Sequence, residues 1–474
     1  MTVVRAIRGP LLNPRPDGAQ SQGIVEYTPD ALLLGDERGK IVEVGTWEKL
    51  QHKLGSAAAN VARARGVIAP PMLDAHIHIP QHPVRGRFVE GIVGHPPEGW
   101  LLAGLNRNVF PAEAKAADRE HAIETIDAFR ADTLAHGVVG GAAYMTVHTS
   151  ATREALERLP AEWSVGLVLM NSNCPEYLRT DEKALEADYT ALARDFGQRV
   201  IVTDRFAVSV TSTLRRKGVT LARRLGLRMQ THLNEQIAEK RFVEEVLYPD
   251  AASYTDVYRR DGLLDCDPIL AHCVRMHDEE FDLVAATPSS IAHCPVSNTL
   301  LGSGVMRLDA AQARGIPYAL CTDVGASPTT SLLCEMAQFL KVHAGRSTAA
   351  TPEEALWRVT LAPAQILGLE QRLGSFDVGK EMSFVEIASD ARALAGHSAA
   401  DVILDGLLEI SPAELMRYAP HASIGLAIDR LQSTGLEAGP DLDALTADVQ
   451  STAERLDAKV QAVTLAGQTV WQRC

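Results

Sequence analysis

Between residues 70 and 370 an apolar strand, a polar loop and a helix follow one another eight times, and this repetition limits the possible folds more than any other feature of the chain. The strand candidates are "MLDAHIH", "VVGGAAY", "SVGLVLM", "RVIVTDRFAV", "LRMQTHL", "PILAHCV", "SSIAHCP" and "PYALCTD". Helical stretches such as "EKALEADYTALARDF" and "SLLCEMAQFLKVHAG" lie between them. Near-continuous apolar strands alternating with helices belong to parallel sheets whose outer face is covered, and eight of them fit a closed (β/α)8 TIM barrel better than an open sheet.

The flanks read differently. "VVRAIRG", "ALLLGDERGKIVEVG" and "ARGVIAP" carry the alternating pattern of a small antiparallel sheet. After "LGSFDVGKEMSFVEI" the chain returns to strands, and "VQAVTLAGQTVWQ" closes it. The expected division is an α/β barrel over 69–370, with 1–68 and 371–474 joined into one discontinuous β-sandwich domain that also carries helices. The Gly, Pro and Asp cluster at 436–442 marks a loop between two C-terminal helical pieces.

Polar residues interrupt the barrel strands at their C-terminal ends. In "PPMLDAHIHIPQHP", His76 and His78 stand two residues apart and therefore point to one face of the strand, into the barrel mouth. "QTHLNE" adds His232 and Glu235, "AHCV" adds His272, "AHCP" adds His293 and "CTDVG" adds Asp323. Buried polar groups need partners, and several imidazoles beside a carboxylate are satisfied by one divalent cation. His293, followed by Cys294 and Pro295, reads as a histidine that anchors a loop. His82 and His95 fall in loop sequence and read as solvated or substrate-facing. His277-Asp278-Glu279 matches the H-x-E of cytidine-type deaminases, but no P-C-x-x-C follows it, so the match is chance.

Charge and cysteine content exclude several classes. Sixty acidic residues against 46 basic ones give a net charge of −14, with no basic block, which argues against nucleic acid or an anionic membrane as partner. Seven scattered cysteines, never spaced as C-x-x-C, argue against a disulfide framework or a cysteine-rich zinc site. The N-terminus "MTVVRAIRGPLL" lacks a signal-peptide core and no run of about 18 apolar residues occurs, so the expected location is cytoplasmic.

The order D-x-H-x-H, H-x-x-E, H and T-D, spread over nearly 250 residues, resembles the amidohydrolase superfamily of metal-dependent barrel hydrolases. "HIHIPQ", "NVFPAE", "DRFAVS", "THLNE", "LYPDAASYTDVY", "IAHCPVSNTLLGSG" and "TDVGAS" resemble its guanine deaminase family in particular. The tyrosine-rich stretch is the most telling of these, because catalysis in the superfamily does not require it. The resemblance implies that His76, His78, His232 and Asp323 bind one divalent metal ion, with Zn2+ first and iron or manganese as alternatives. It implies that Glu235, His272 and Asp323 are catalytic, and that Gln81, Arg205 and Phe206 meet the base. It also implies a homodimer acting in purine catabolism.

The reaction so implied is hydrolytic deamination of guanine to xanthine and ammonia. Asp323 would accept the water's proton, Glu235 would protonate the ring nitrogen and then the departing amine, and His272 would orient the attacking oxygen. A guanidinium suits O6 and N7 of the base, and an amide suits a mixed donor and acceptor edge. Other readings stay open. Arg205 could instead pair with its neighbour Asp204, and Phe206 could be core. The substrate could be an s-triazine, a pterin or 8-oxoguanine, and a non-catalytic metal-binding barrel is a third class. The sequence departs from the family at Pro70-Pro71, at Asp204 where a proline is expected, at "EMSFVEI", and in the 84–107 segment with its displaced Trp100.

Overall fold

The structure is a computed structural model that describes residues 5–16, 23–87, 104–389, 394, 397–411, 414–415 and 440–473. His95, Trp100 and most of the 84–107 segment lie outside the described residues.

The N-terminal strands run longer than the sequence suggests. β1 (Arg5–Pro16) and β2 (Gly23–Gly35) pair antiparallel along almost their whole lengths, and β3 (Ile41–Thr46) continues the sheet from β2. The Gly9-Pro10 pair looks like the end of a strand. Instead the register shifts between Gly9 and Leu11, which lets β1 pass its proline, and the stretch of β2 opposite contains Pro29. The sheet is also mixed rather than purely antiparallel, because β4 (Ala62–Arg63) and β5 (Val67–Ala69) run parallel to β1.

Pro70-Pro71 then carries the chain into the barrel. Its eight strands are β6 (Met72–His78), β7 (Val138–Tyr144), β8 (Trp163–Leu169), β9 (Val200–Asp204), β10 (Met229–Leu233), β11 (Ile269–His272), β12 (Ser290–His293) and β13 (Tyr318–Leu320). All are parallel and hydrogen-bonded in chain order. Each coincides with one of the eight apolar segments expected. Small buried side chains, among them Ala75, Ala142, Ala271, Ala292, Ala319, Cys294 and Cys321, cluster together.

The seam between the first and last barrel strands is closed by other means. On one side of it Leu73 N–H donates to the Val359 carbonyl (3.0 Å) and Leu320 N–H to the Arg358 carbonyl (2.9 Å). Toward the strand ends the Thr322 hydroxyl donates to Asp74 (2.5 Å), Asp323 N–H to the His76 carbonyl (3.0 Å), and His78 N–H to the Val324 carbonyl (2.7 Å).

β14 (Phe384–Ile387), β15 (Val460–Leu465) and β16 (Gln468–Gln472) return to the first sheet through β5, so both ends of the chain build one sheet separate from the barrel. Of the loop expected at 436–442, residues 436–439 lie outside the described residues. Residues 440–442 already belong to the helix Pro440–Leu456, which suits a proline that opens a helix. The six described cysteines are free.

Candidate functional site

The C-terminal ends of β6, β10, β11 and the turn after β13 meet at one point. One ligand atom each from His76, His232, His272 and Asp323 lies within 4.8 Å of all the others. His78 reaches the same cluster through Asp323: both His76 Nε2 and His78 Nε2 stand 3.1 Å from Asp323 Oδ1. The tight group therefore contains three of the four expected ligands together with His272. Two of its members, His272 (φ 73°) and Asp323 (φ 53°), sit in the left-handed region, as does the nearby Asn234 (φ 52°). Each such non-glycine residue costs on the order of 1 kcal/mol or more, and the surrounding hydrogen bonds hold it there.

The donor set fits a divalent metal ion. Burial lowers the pKa of His76, His78 (to about 3) and His232, so the imidazoles are neutral, as metal binding requires. His232 Nδ1 lies 2.6 Å from the Arg205 carbonyl and must donate to it, which leaves Nε2 with its lone pair. His272 Nδ1 lies 3.0 Å from the Asn298 side-chain oxygen, and its buried Nε2 has no hydrogen-bond partner among the described residues. Burial alone would raise Asp323, but hydrogen bonding to His76 and His78 reverses this and holds it well below its ordinary value. Ser297 donates to Asp323 Oδ2 at 2.6 Å and so fixes the carboxylate from its other side.

Glu235 stands at the rim of the cluster. Its Oε2 is 3.7 Å from His272 Nε2, and its Oε1 accepts from the Ser303 hydroxyl at 2.9 Å. Burial, with the Asp323 charge adding to it, raises its pKa to about 8, so the carboxyl holds a proton at neutral pH. β9 ends on Asp204, which Arg215 binds at 2.7 Å, so this strand end offers neither a lysine nor a glutamate to bridge a second ion.

A cleft opens over the cluster. Its wall includes His78, Gln81, Arg205, Phe206, His232, Glu235, His272 and Asp323, so the three residues expected to contact the base and the three expected to be catalytic share it. Leu105, Gln236, Glu239, Leu301 and Ala326 complete the lining and were not foreseen.

The structure also decides between the readings left open at other residues. Arg205 does not pair with Asp204. Asp204 is taken by the buried Arg215, and Arg205 Nη1 donates to Glu113 instead. Phe206 is 5% exposed and faces the cleft, with its ring 6.4 Å from that of His232. His82 is not solvated: it is buried, with Nε2 2.8 Å from Asp132, a residue on the helix Arg119–Ala135 that no loop reading of "IPQHP" could reveal. His293 is outside the cluster, its Nε2 3.2 Å from that of His343. His277 caps the helix Asp278–Ala285 together with Glu280, a structural role.

The tyrosine-rich stretch also finds its place. Tyr254 and Tyr258 lie four residues apart on the helix Tyr254–Asp261. The Tyr258 hydroxyl donates to the His232 carbonyl (2.9 Å) and accepts from Ala207 N–H (3.0 Å). Tyr254 donates to Glu239 Oε1 (2.9 Å), whose other oxygen accepts from the backbone N–H of Glu235 (3.1 Å) and Gln236 (3.3 Å). The pair thus ties the segment carrying Arg205 and Phe206 to the one carrying His232 and Glu235.

A sequence model of the amidohydrolase family matches residues 67–407. Guanine deaminase of Escherichia coli strain K12 is 32% identical over 383 residues, which cover 78% of this chain and 84% of that protein. A solved structure of the E. coli guanine deaminase superposes with a TM-score of 0.75 at 26% identity, covering 99% of this chain and 100% of that one. The structure of guanine deaminase from C. acetobutylicum with guanine bound in its active site gives a TM-score of 0.73 at 23% identity, covering 98% and 100%.

Proposed function

This chain belongs to the amidohydrolase family, a family of metal-dependent enzymes, and from that premise we propose that it hydrolyses guanine to xanthine and ammonia. The observation that carries the reading is the shared cleft: Gln81, Arg205 and Phe206 line the same cavity as Glu235, His272 and Asp323. The resemblance to guanine deaminases over most of the chain supports the same substrate.

His76, His78, His232 and Asp323 would hold the ion, with His272 beside them. Zinc suits three imidazoles and a carboxylate. When bound, the ion supplies the Lewis acidity that makes water a nucleophile at neutral pH. Asp323, ionised, takes a proton from the attacking water. His272, with Nε2 free, orients the oxygen toward the carbon that bears the amine. Glu235, protonated at neutral pH, gives its proton to the adjacent ring nitrogen, takes the remaining proton of the added water and hands it to the departing amine, and is reprotonated by the proton that Asp323 accepted. Guanine and water are thereby converted to xanthine and ammonia with no net proton change at the enzyme.

Arg205 keeps further N–H donors beyond the one that Glu113 engages, and these suit O6 and N7 of the base. Gln81 supplies an amide at the same wall, and Phe206 offers an apolar face. We read the enzyme as a cytoplasmic homodimer; among the described residues no helix is long and apolar enough to cross a membrane. Light scattering on the purified protein tests the dimer.

The test of function is ammonia release from guanine, adenine, cytosine, 8-oxoguanine, pterin and melamine. Guanine should have the highest kcat/KM. Faster turnover of melamine or pterin would assign the cleft to another heterocycle, and no turnover with metal bound would leave a non-catalytic barrel.

A further inference from the structure

Gln81 and Arg205 come from distant parts of the chain, yet both are fastened to one oxygen atom. Glu113, on the short helix Phe110–Lys115, accepts from Gln81 Nε2 at 3.0 Å and from Arg205 Nη1, both through Oε1. Glu113 is 0% exposed and is not part of the cleft wall, so it stands behind the two side chains that are. Its Oε2 has no hydrogen-bond partner among the described residues, so nothing except Gln81 and Arg205 orients the carboxylate by hydrogen bonding. From the same helix, the Phe110 ring lies 5.9 Å from the guanidinium carbon and limits where the guanidinium can swing.

We infer that Glu113 is a positioning residue for substrate selection: it fixes Arg205 and Gln81 in one relative geometry and cancels the guanidinium charge, so that the cleft favours a neutral base over an anionic one. The inference rests on the reading of Arg205 and Gln81 as the groups that meet guanine. A buried carboxylate bonded to a guanidinium in this way removes a net positive charge from the wall, while the remaining N–H groups stay available. Sharing one acceptor also forces the Gln81 amide to present its oxygen elsewhere, because its nitrogen is committed to Glu113. Two donors and one acceptor are thereby fixed before the base arrives, which lowers the entropy lost on binding.

Glu113→Gln tests this in the full-length, metal-loaded enzyme. The variant keeps the size of the side chain and loses its charge. KM for guanine should rise roughly 10-fold or more, while kcat stays within about 3-fold and metal content is unchanged. Xanthine carries a more acidic ring N–H than guanine. Inhibition by xanthine at mildly alkaline pH should therefore strengthen relative to guanine KM by roughly 10-fold, because an uncompensated guanidinium attracts the anion. A merely structural role would not alter that ratio. Glu113→Asp, which keeps the charge, should retain the wild-type preference against xanthine with KM raised by about 3-fold to 10-fold, and it serves if the glutamine variant does not fold. Unchanged KM, an unchanged xanthine ratio, or parallel loss of kcat and metal would overturn the inference. Arg205→Ala is measured beside it: unchanged kcat/KM for guanine there would instead refute the underlying assignment of the substrate wall.

Discussion

Asp204 Oδ2 accepts from Arg215 Nε at 2.7 Å, and neither side chain has any exposed surface. The pair frees the next residue, Arg205, to turn toward Glu113 and the cleft. Arg215 also donates to Asp261 at 2.8 Å and to the Val210 carbonyl at 2.9 Å, so one guanidinium joins the end of β9 to two neighbouring segments. The aspartate that departs from the family pattern is thus accounted for by a cation eleven residues later.

Arg215→Met should leave the buried Asp204 without its cation, while Asp261 keeps Arg216. The expected loss is about 3 to 5 kcal/mol, measured as a lower urea midpoint, with kcat per bound metal of the folded fraction little changed. A shift below roughly 0.5 kcal/mol would mean that Asp204 is stabilised by other contacts.

Purified protein should carry close to one equivalent of divalent metal, and a chelator should abolish turnover. His76→Ala or Asp323→Ala should lose metal and activity together. Ser297→Ala removes only the donor to Asp323 Oδ2, so metal should still bind, with affinity lower by roughly 10-fold to 100-fold in competition with a chromophoric chelator. Elemental analysis giving two equivalents would refute the single-ion site.

Glu235→Gln preserves size and the contact with Ser303 but cannot carry a proton. Metal occupancy should hold while kcat falls by roughly 100-fold or more. Near-normal kcat at full occupancy would remove Glu235 from the proton path.

Arg205→Ala should lower kcat/KM for guanine by about 30-fold to 1000-fold, corresponding to roughly 2 to 4 kcal/mol for an unmade charged contact. Arg205→Lys should recover little, because an ammonium cannot reproduce a planar contact to Glu113 and to the base together. Recovery by lysine to within a few-fold would show that charge alone suffices.

Stability should vary with pH through Asp132 and His136. Burial lowers the pKa of His136, but hydrogen bonding to Asp132 more than reverses this and raises it above the ordinary value. Burial raises Asp132, and bonds to His136 and His82 reverse that as well and hold it far below. The His136 contribution is complete below its unfolded pKa and is lost as pH rises through the raised folded value. The Asp132 contribution is present above the ordinary carboxylate range and is lost on acidification. His136→Gln should therefore flatten the decline in urea midpoint on the alkaline side of about pH 6.5, where the wild type loses this contribution. An unchanged slope there would mean that His136 is neutral in the folded protein.

The barrel was legible because eight apolar strands alternate with helices, and the site because several of those strands end in polar residues that an apolar core would not tolerate, as in "QTHLNE" and "CTDVG". The N-terminal sheet was half legible: Gly9-Pro10 imitates a strand end, and only the partner strand reveals the register shift. Glu113 and Glu239 were not legible in their roles. On "NVFPAEAK" and "EQIAEKR" nothing in the neighbouring sequence singles out the acid, and what gives it a role is a partner brought close by folding: Arg205, 92 residues away, in one case and Tyr254, 15 residues away, in the other. His82 misled for the same reason, since Asp132 lies 50 residues further along the chain.

The seam of the barrel gives the site one more property. His76 and Asp323 are 247 residues apart in sequence and belong to the first strand and to the turn after the last, and the backbone bonds that join those two segments run between the proposed ligands themselves. A chain that lacks the last strand would keep the imidazoles of β6, β10 and β11 but not the carboxylate, which meets the first histidines only when the circle is complete. An ion held by His76 and Asp323 together would fasten the two ends of the barrel to each other, so its removal should loosen the join as well as the site.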